Sequence, residues 1–251
     1  MRCFIYLSYD GAPFCGWQVQ PNGRSVQGEL QRALALLLRS DVAVTGAGRT
    51  DAGVHARLMV AHCDLPEGTD LGQLCYRLNG ILPHEIAVER IRQVADDAHA
   101  RFSATSRTYH YYIHTAKSPF LREYSWRLVH RPDIAAMNEA AAVLSEYTDF
   151  TSFSKVNTDT KTNICHICYA RWEQLGPHEW RFEIQADRFL RNMVRAIVGT
   201  LMLVGRHDID LAGFRRIIEA RDRCAAGESV PARGLFLVDV GYEDATLAVN
   251  R

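Results

Sequence analysis

Lysine is scarce in this 251-residue sequence: of 29 basic residues only Lys117, Lys155 and Lys161 are lysines, and the other 26 are arginines. Arginine's planar fork grips phosphate and stacks on bases better than an ammonium does, but codon bias produces the same count. Charge of one sign is missing as well, because 29 acidic side chains offset the basic ones. Composition therefore leans against nucleic acid as a partner, and any polyanion has to be held by locally clustered arginines instead of a global field. No stretch rich in Pro, Gly or Ser acts as a flexible linker, and no short-period repeat is present. Long apolar runs are lacking. Residues 3–7 run into Asp10, and residues 189–204 are broken by Arg191 and Arg195, so neither a secretory leader nor a membrane span is expected. Seven cysteines, an odd number scattered through a chain with 47% hydrophobic residues, suit a reducing compartment, and a cytoplasmic protein is expected.

What is present is an interleaving of strand and helix periodicities. Residues 2–9 alternate as a strand and lead into a Gly-, Pro- and Asn-bearing loop over 10–24. Ser25 then caps an amphipathic helix over 26–39, with Val26, Leu30, Ala33, Leu34, Leu37 and Leu38 as its stripe. A short strand is expected at 42–45, a helix from Thr69 to Asn79-Gly80, and a strand at 86–94. The second half opens with a strand at 106–115 and a helix at 133–146 capped by Asp133. A hairpin follows, 163–173 with 179–186, around Gly176-Pro177. Helices at 189–204 and near 211–222 and a strand at 235–242 complete the pattern. The expected class is α+β, with two mixed α/β halves, 1–105 and 106–251, joined through a largely antiparallel sheet.

The loop Gly46-Ala47-Gly48-Arg49-Thr50-Asp51-Ala52-Gly53-Val54-His55 is the most unusual segment. A dinucleotide fingerprint would need glycine where Asp51 stands, and a phosphate loop would need Lys and Ser or Thr where Val54 and His55 stand. The glycines instead allow a sharp turn that displays Asp51 beside Arg49, and a guanidinium nearby favours an ionised carboxylate able to act as nucleophile or base. A turn in which Asp51 merely caps backbone amides is an equally good reading of these residues.

On a helix over 189–204, Arg188, Arg191, Asn192 and Arg195 share one face, opposite Phe189, Met193, Ala196, Ile197 and Leu201; such a stripe grips phosphates, lends an arginine to a carboxylate, or is simply solvated. Arg107, Tyr109 and Tyr111 point to one side of a strand, a possible base-stacking face or ordinary packing. The loop containing Trp17, Gln18 and Gln20 is expected to expose its aromatic ring. Cys165-His166-Ile167-Cys168 has zinc-like spacing without a second pair, and buried thiols are expected there. A metal site built on Asp51, His55, His62 and Cys63 follows no familiar ligand spacing.

Several motifs, taken in order, are similar to those of the tRNA pseudouridine synthase A family. They are Tyr9-Asp10-Gly11 with Phe14-Cys15-Gly16-Trp17-Gln18-Val19-Gln20-Pro21, Gly48-Arg49-Thr50-Asp51-Ala52-Gly53-Val54-His55-Ala56, and Ala100-Arg101-Phe102-Ser103-Ala104. The series continues with Arg107-Thr108-Tyr109-His110-Tyr111, Asp149-Phe150-Thr151-Ser152-Phe153, Phe189-Leu190-Arg191-Asn192-Met193-Val194-Arg195 and Gly234-Leu235-Phe236-Leu237. The chain departs from the pattern at Arg188, where a small residue is usual, and at Val230-Pro231-Ala232-Arg233, which is less proline-rich.

The resemblance implies the pseudouridine synthase fold and isomerisation of uridine at positions 38, 39 and 40 of the tRNA anticodon stem-loop, by a homodimer using no metal or organic cofactor. It implies that Asp51 is the nucleophile, that Tyr109 stacks on the target base and is a candidate for proton transfer, that Arg195 pairs with the nucleophile, and that Arg49 is a further basic group of the site. Such a reaction moves neither electrons nor phosphate, which agrees with the absence of a cofactor fingerprint. Attack on C1′, attack on C6, and a glycal route remain equally compatible with the residue types. Two rivals are a non-catalytic RNA-binding module and a metal-dependent hydrolase using Asp51, His55 and His62.

Overall fold

The structure, a computed structural model, describes residues 1–21, 23–155 and 162–248, so Asn22 and Lys161 lie outside the described residues. In chain order the elements are β1 (Arg2–Tyr9), α1 (Val26–Leu38), β2 (Thr45–Gly46), β3 (His55–Asp64), α2 (Leu71–Ile81), β4 (Ile86–Gln93), β5 (Ala104–His114) and β6 (Trp126–Arg127). There follow α3 (Ile134–Ala142), β7 (Ile167–Gly176), β8 (Glu179–Ala186), α4 (Met193–Gly205), α5 (Leu211–Ala220), β9 (Leu235–Tyr242) and the single turn α6 (Asp244–Leu247). They form two compact units, one of Met1–Ser106 with Leu237–Arg251, the other of Arg107–Phe236. The expected α+β class and the prevalence of antiparallel pairing both hold.

In the first unit the strand order is β4-β1-β3-β9, with β2 beside β3. β1 pairs antiparallel with both β3 and β4. Helix α1 starts where Ser25 accepts the Gly28 amide and ends at Arg39, whose φ of 56° stops it. It buries Val26, Leu30, Ala33 and Leu34, the valine and the two leucines each contributing about 2 kcal/mol on burial. The strand expected at 42–45 is not formed as such: only Thr45–Gly46 pairs with β3, although Val42 and Val44 are buried. β3 itself has no counterpart in the sequence reading. Seven of its ten residues are buried, on both faces, so its side chains do not alternate in polarity.

Strand β4 closes the order and carries a register shift against β1 between Tyr6 and Leu7. There the Asn79 side chain of α2 accepts the Val88 amide and donates to the Val88 carbonyl, both at 2.8 Å. A side-chain amide thus supplies the two bonds that a further strand would have made.

In the second unit β8 lies between β5 and β7, antiparallel to both, and β6 runs parallel to β5 at Ile113 and His114. The β7–β8 hairpin turns at the expected place, but β7 begins at Ile167, with Ile164 making only an isolated bridge to Asp149. Asn138 of α3 donates to the Trp172 carbonyl and accepts the Trp172 amide, repeating at β7 what Asn79 does at β4.

Helix α4 corrects the sequence reading most. It begins at Met193, not Phe189, because Asn192 sits at φ 66°, a left-handed conformation that asparagine tolerates better than most residues and that breaks the helix. Arg188 and Arg191 therefore precede α4, and no arginine stripe runs along it. Eleven of its thirteen residues are buried, leaving Arg195 as its one charged side chain. Gly199 explains how closely it is packed: a Cβ there would fall 1.8 Å from the Glu228 carbonyl oxygen.

Candidate active site

The loop bearing Asp51 is braced by the segment that follows β1. Trp17 donates its amide to the Thr50 carbonyl at 3.2 Å, Gly53 donates to the Phe14 carbonyl at 3.4 Å, and the Tyr9 and Thr50 hydroxyls are bonded at 2.9 Å. Two glycines make this contact possible. Gly16 has φ 107° and a Cβ on it would lie 2.4 Å from the Thr50 oxygen; at Gly11 it would lie 2.0 Å from the Val54 oxygen. His55 Nδ1 sits 3.0 Å from the Gly11 amide and 3.0 Å from Asp10 Oδ1, tying the two segments together at the start of β3.

Trp17 is not the exposed aromatic expected of its loop. It is 1% exposed, and its indole lies where any side chain on Gly46 would be. Its loop is polar in composition yet folds inward, and Trp17 serves as the floor of the Asp51 loop instead of gripping a ligand.

On this support Thr50 is buried, Asp51 half-buried and Arg49 exposed. Within the turn Val54 donates its amide to the Asp51 carbonyl at 3.1 Å. Gly53, at φ 76°, supplies the left-handed residue that reverses the chain.

In the second unit Arg195 is half-buried on the first turn of α4, and its Nε donates to the Val230 carbonyl at 2.8 Å while the Val230 amide donates to the Arg195 carbonyl at 3.2 Å. The reciprocal pair fixes the guanidinium plane. Tyr111 donates to the neighbouring Pro231 carbonyl at 2.9 Å. Its burial pushes the phenol far above its ordinary range, so it is a protonated structural donor. This removes Tyr111 from the expected stacking face. Tyr109 is 9% exposed and meets the Phe189 ring edge-on at 5.1 Å. Arg107 donates to the Asp187 carbonyl at 2.7 Å. The four residues singled out from the sequence thus fall two to each unit, Arg49 with Asp51 on one loop, Tyr109 and Arg195 on β5 and α4. The contacts that hold the latter two, from the Phe189 ring and the Val230 carbonyl, were not expected from the sequence.

The histidines of the metal reading are otherwise engaged. His62 Nδ1 accepts the Ala100 amide at 3.0 Å, and the Cys63 thiol is pushed up to about 12 by burial, which keeps it protonated. Among the described residues no three His, Cys, Asp or Glu side chains form a group able to hold a metal ion. Of the Cys165–Cys168 pair only Cys165 is buried; Cys168 faces outward on β7, contrary to expectation. Among the described residues no helix is long and apolar enough to cross a membrane.

Comparison with known proteins defines the class first: the family model described as tRNA pseudouridine synthase matches residues 141–243. Curated relatives are more specific. A tRNA pseudouridine synthase A of Bacteroides thetaiotaomicron is 58% identical over 245 residues, covering 97% of this chain and 91% of the relative. That of Parabacteroides distasonis is 58% identical over 250 residues and 99% of each chain, and that of Bacillus subtilis 40% identical over 248 residues, 97% of this chain and 100% of the relative. The chain belongs to the tRNA pseudouridine synthase A family. It has the mixed, largely antiparallel pseudouridine synthase fold and is an isomerase acting on tRNA uridine.

Proposed function

We propose that this enzyme converts uridine to pseudouridine at positions 38, 39 and 40 of the anticodon stem-loop, with Asp51 as nucleophile. The carrying observation is the half-buried Asp51 at the apex of a loop whose backbone is locked from below by residues 11–17. A nucleophile must be both reachable and held still, and this loop provides both conditions. Tyr109 stacks on the target uracil and is the candidate for proton transfer, Arg195 is the counter-cation of the nucleophile, and Arg49 is a further cation of the site.

The reaction breaks the C1′–N1 bond, turns the uracil while it is held, and joins C5 to C1′; the C5 proton leaves to solvent and N1 regains one. The bookkeeping needs no redox partner. The target must first leave its stack at a cost of a few kcal/mol, which binding of the remaining tRNA offsets. The resemblance further supports a homodimer working in the cytoplasm without a cofactor.

A uridine-only tRNA transcript incubated with the protein and mapped for pseudouridine tests the site. Conversion confined to positions 38–40 is expected. Conversion elsewhere overturns the anticodon assignment, and absence of conversion overturns the enzyme reading.

A further inference from the structure

The motif Ala100-Arg101-Phe102-Ser103-Ala104 plays no part in the chemistry above, yet it forms a closely hydrogen-bonded surface loop of the first unit. Every amide from Ala98 to Ser103 donates a hydrogen bond. Ala98 donates to the Ala95 carbonyl, His99 to Ser103 Oγ, Ala100 to His62 Nδ1, Arg101 and Phe102 to His99 Nδ1 at 3.1 and 3.2 Å, and Ser103 to the His99 carbonyl. The outward carbonyls are held as well, that of Ala98 by Arg2 Nη1 at 2.9 Å and that of Ala100 by the Tyr242 hydroxyl at 2.6 Å. An exposed loop that only connects strands has water for these groups and does not need such closure.

What the loop presents is an aromatic ring. Phe102 is 77% exposed. One side of it rests on the His99 ring at 4.4 Å, tilted 34°, and His99 in turn meets the His62 ring edge-on at 4.4 Å. The Arg101 guanidinium lies 5.5 Å from the Phe102 centroid. Other exposed rings differ: among the described residues neither Tyr76 nor Phe120, both exposed, has a ring or cation stacked on it. Phe102 combines exposure, a ring support and an adjacent cation on a pre-formed loop.

We propose that Phe102 is a stacking platform for an unpaired base of the tRNA substrate, with Arg101 beside it for the adjoining phosphate. One exposed ring needs no partner by itself; Phe102 differs in standing on a closed loop with the His99 ring against it and the Arg101 guanidinium near it. A nucleobase offers the ring a π-face and brings a phosphate within reach of the neighbouring guanidinium, a combination that an aliphatic protein surface does not offer. Pre-forming the loop lowers the ordering cost of binding. His62 and His99 are both held below their ordinary histidine range by burial, so the Nδ1 acceptors that pin the loop stay unprotonated near neutral pH.

The proposal rests on tRNA being the substrate, which the parent protein's own turnover checks in the same assay. Steady-state pseudouridylation of a uridine-only tRNA transcript is measured for the parent, Phe102→Leu, Phe102→Trp and Arg101→Gln. Stacking is worth enough per base that Phe102→Leu should raise KM about tenfold with kcat unchanged, while Phe102→Trp keeps the parent KM. Arg101→Gln should raise KM and lower the salt dependence of binding by about one unit of slope. A Phe102→Leu KM within about twofold of the parent, or Leu and Trp variants behaving alike, overturns the proposal. So does a Phe102→Leu change in sedimentation without a change in KM, which would assign the ring to a protein contact.

Discussion

The first unit presents Asp51 from a loop; the second presents Arg195 from a helix buried on nearly every side. Both units secure an outer strand in the same way, through Asn79 on Val88 and Asn138 on Trp172. Their candidate functional groups are held differently. Asp51 owes its place to main chain lying against main chain, which only glycine at 11 and 16 permits. Arg195 owes its place to side-chain packing along α4 and to one carbonyl, that of Val230. The first support is intolerant of a single added carbon, and the second should yield gradually.

This contrast makes Gly16→Ala the most damaging remote change. The added methyl meets the Thr50 oxygen and the backbone leaves its favourable region, so the Asp51 loop must shift. A displacement of that kind costs on the order of a hundredfold in turnover. A single-turnover assay beside a thermal melt checks it, and a Gly16→Ala enzyme with parental turnover would refute the brace. Next comes Arg195→Lys, which keeps the charge but loses the planar Nε donor to Val230. Turnover should fall by about tenfold to a hundredfold, with a melting temperature close to the parent's. Equal losses of stability and turnover would mean that Arg195 is only a packing residue.

Asn79→Ala and Asn138→Ala test what the units share. Each leaves a backbone amide and carbonyl without a protein partner at a partly buried position, so about 1–3 kcal/mol of stability should be lost in urea unfolding. A neutral result in one unit alone would break the parallel between them.

The smallest effect concerns pH. Burial, and then the neighbouring His99, push His62 from an ordinary 6.5 down to about 4. The unfolded chain takes up a proton there as pH falls below 6.5, and the folded chain resists it until about 4. Stability from this site is therefore complete above the upper value and is lost progressively through that window. Unfolding curves across the window should be flatter for His62→Gln than for the parent.

Legibility in the sequence differed from element to element. β1 and β9 were expected with the bounds they have, and α1 and α3 announced themselves through Ser25 and Asp133 at their caps. β3 was invisible because a strand covered on both faces has no alternation to read. The start of α4 was misjudged because Phe189 and Leu190 continue its apolar period while the backbone at Asn192 does not continue its helix. At the candidate site, the prominence of Asp51 was legible from loop composition, which left open whether its carboxylate acts or only caps the turn. The burial of Trp17 was not, since a loop rich in Gly, Pro and amides looks solvent-facing until Gly46 is seen to make room for the indole.

Asp51→Asn gives the most direct test of the central claim, because it keeps the size of the side chain and removes its nucleophilicity. With tRNA tritiated at C5 of uridine, the account predicts a variant that binds tRNA as the parent does and releases no tritium above background. Tritium release by that variant at a rate near the parent's would contradict it.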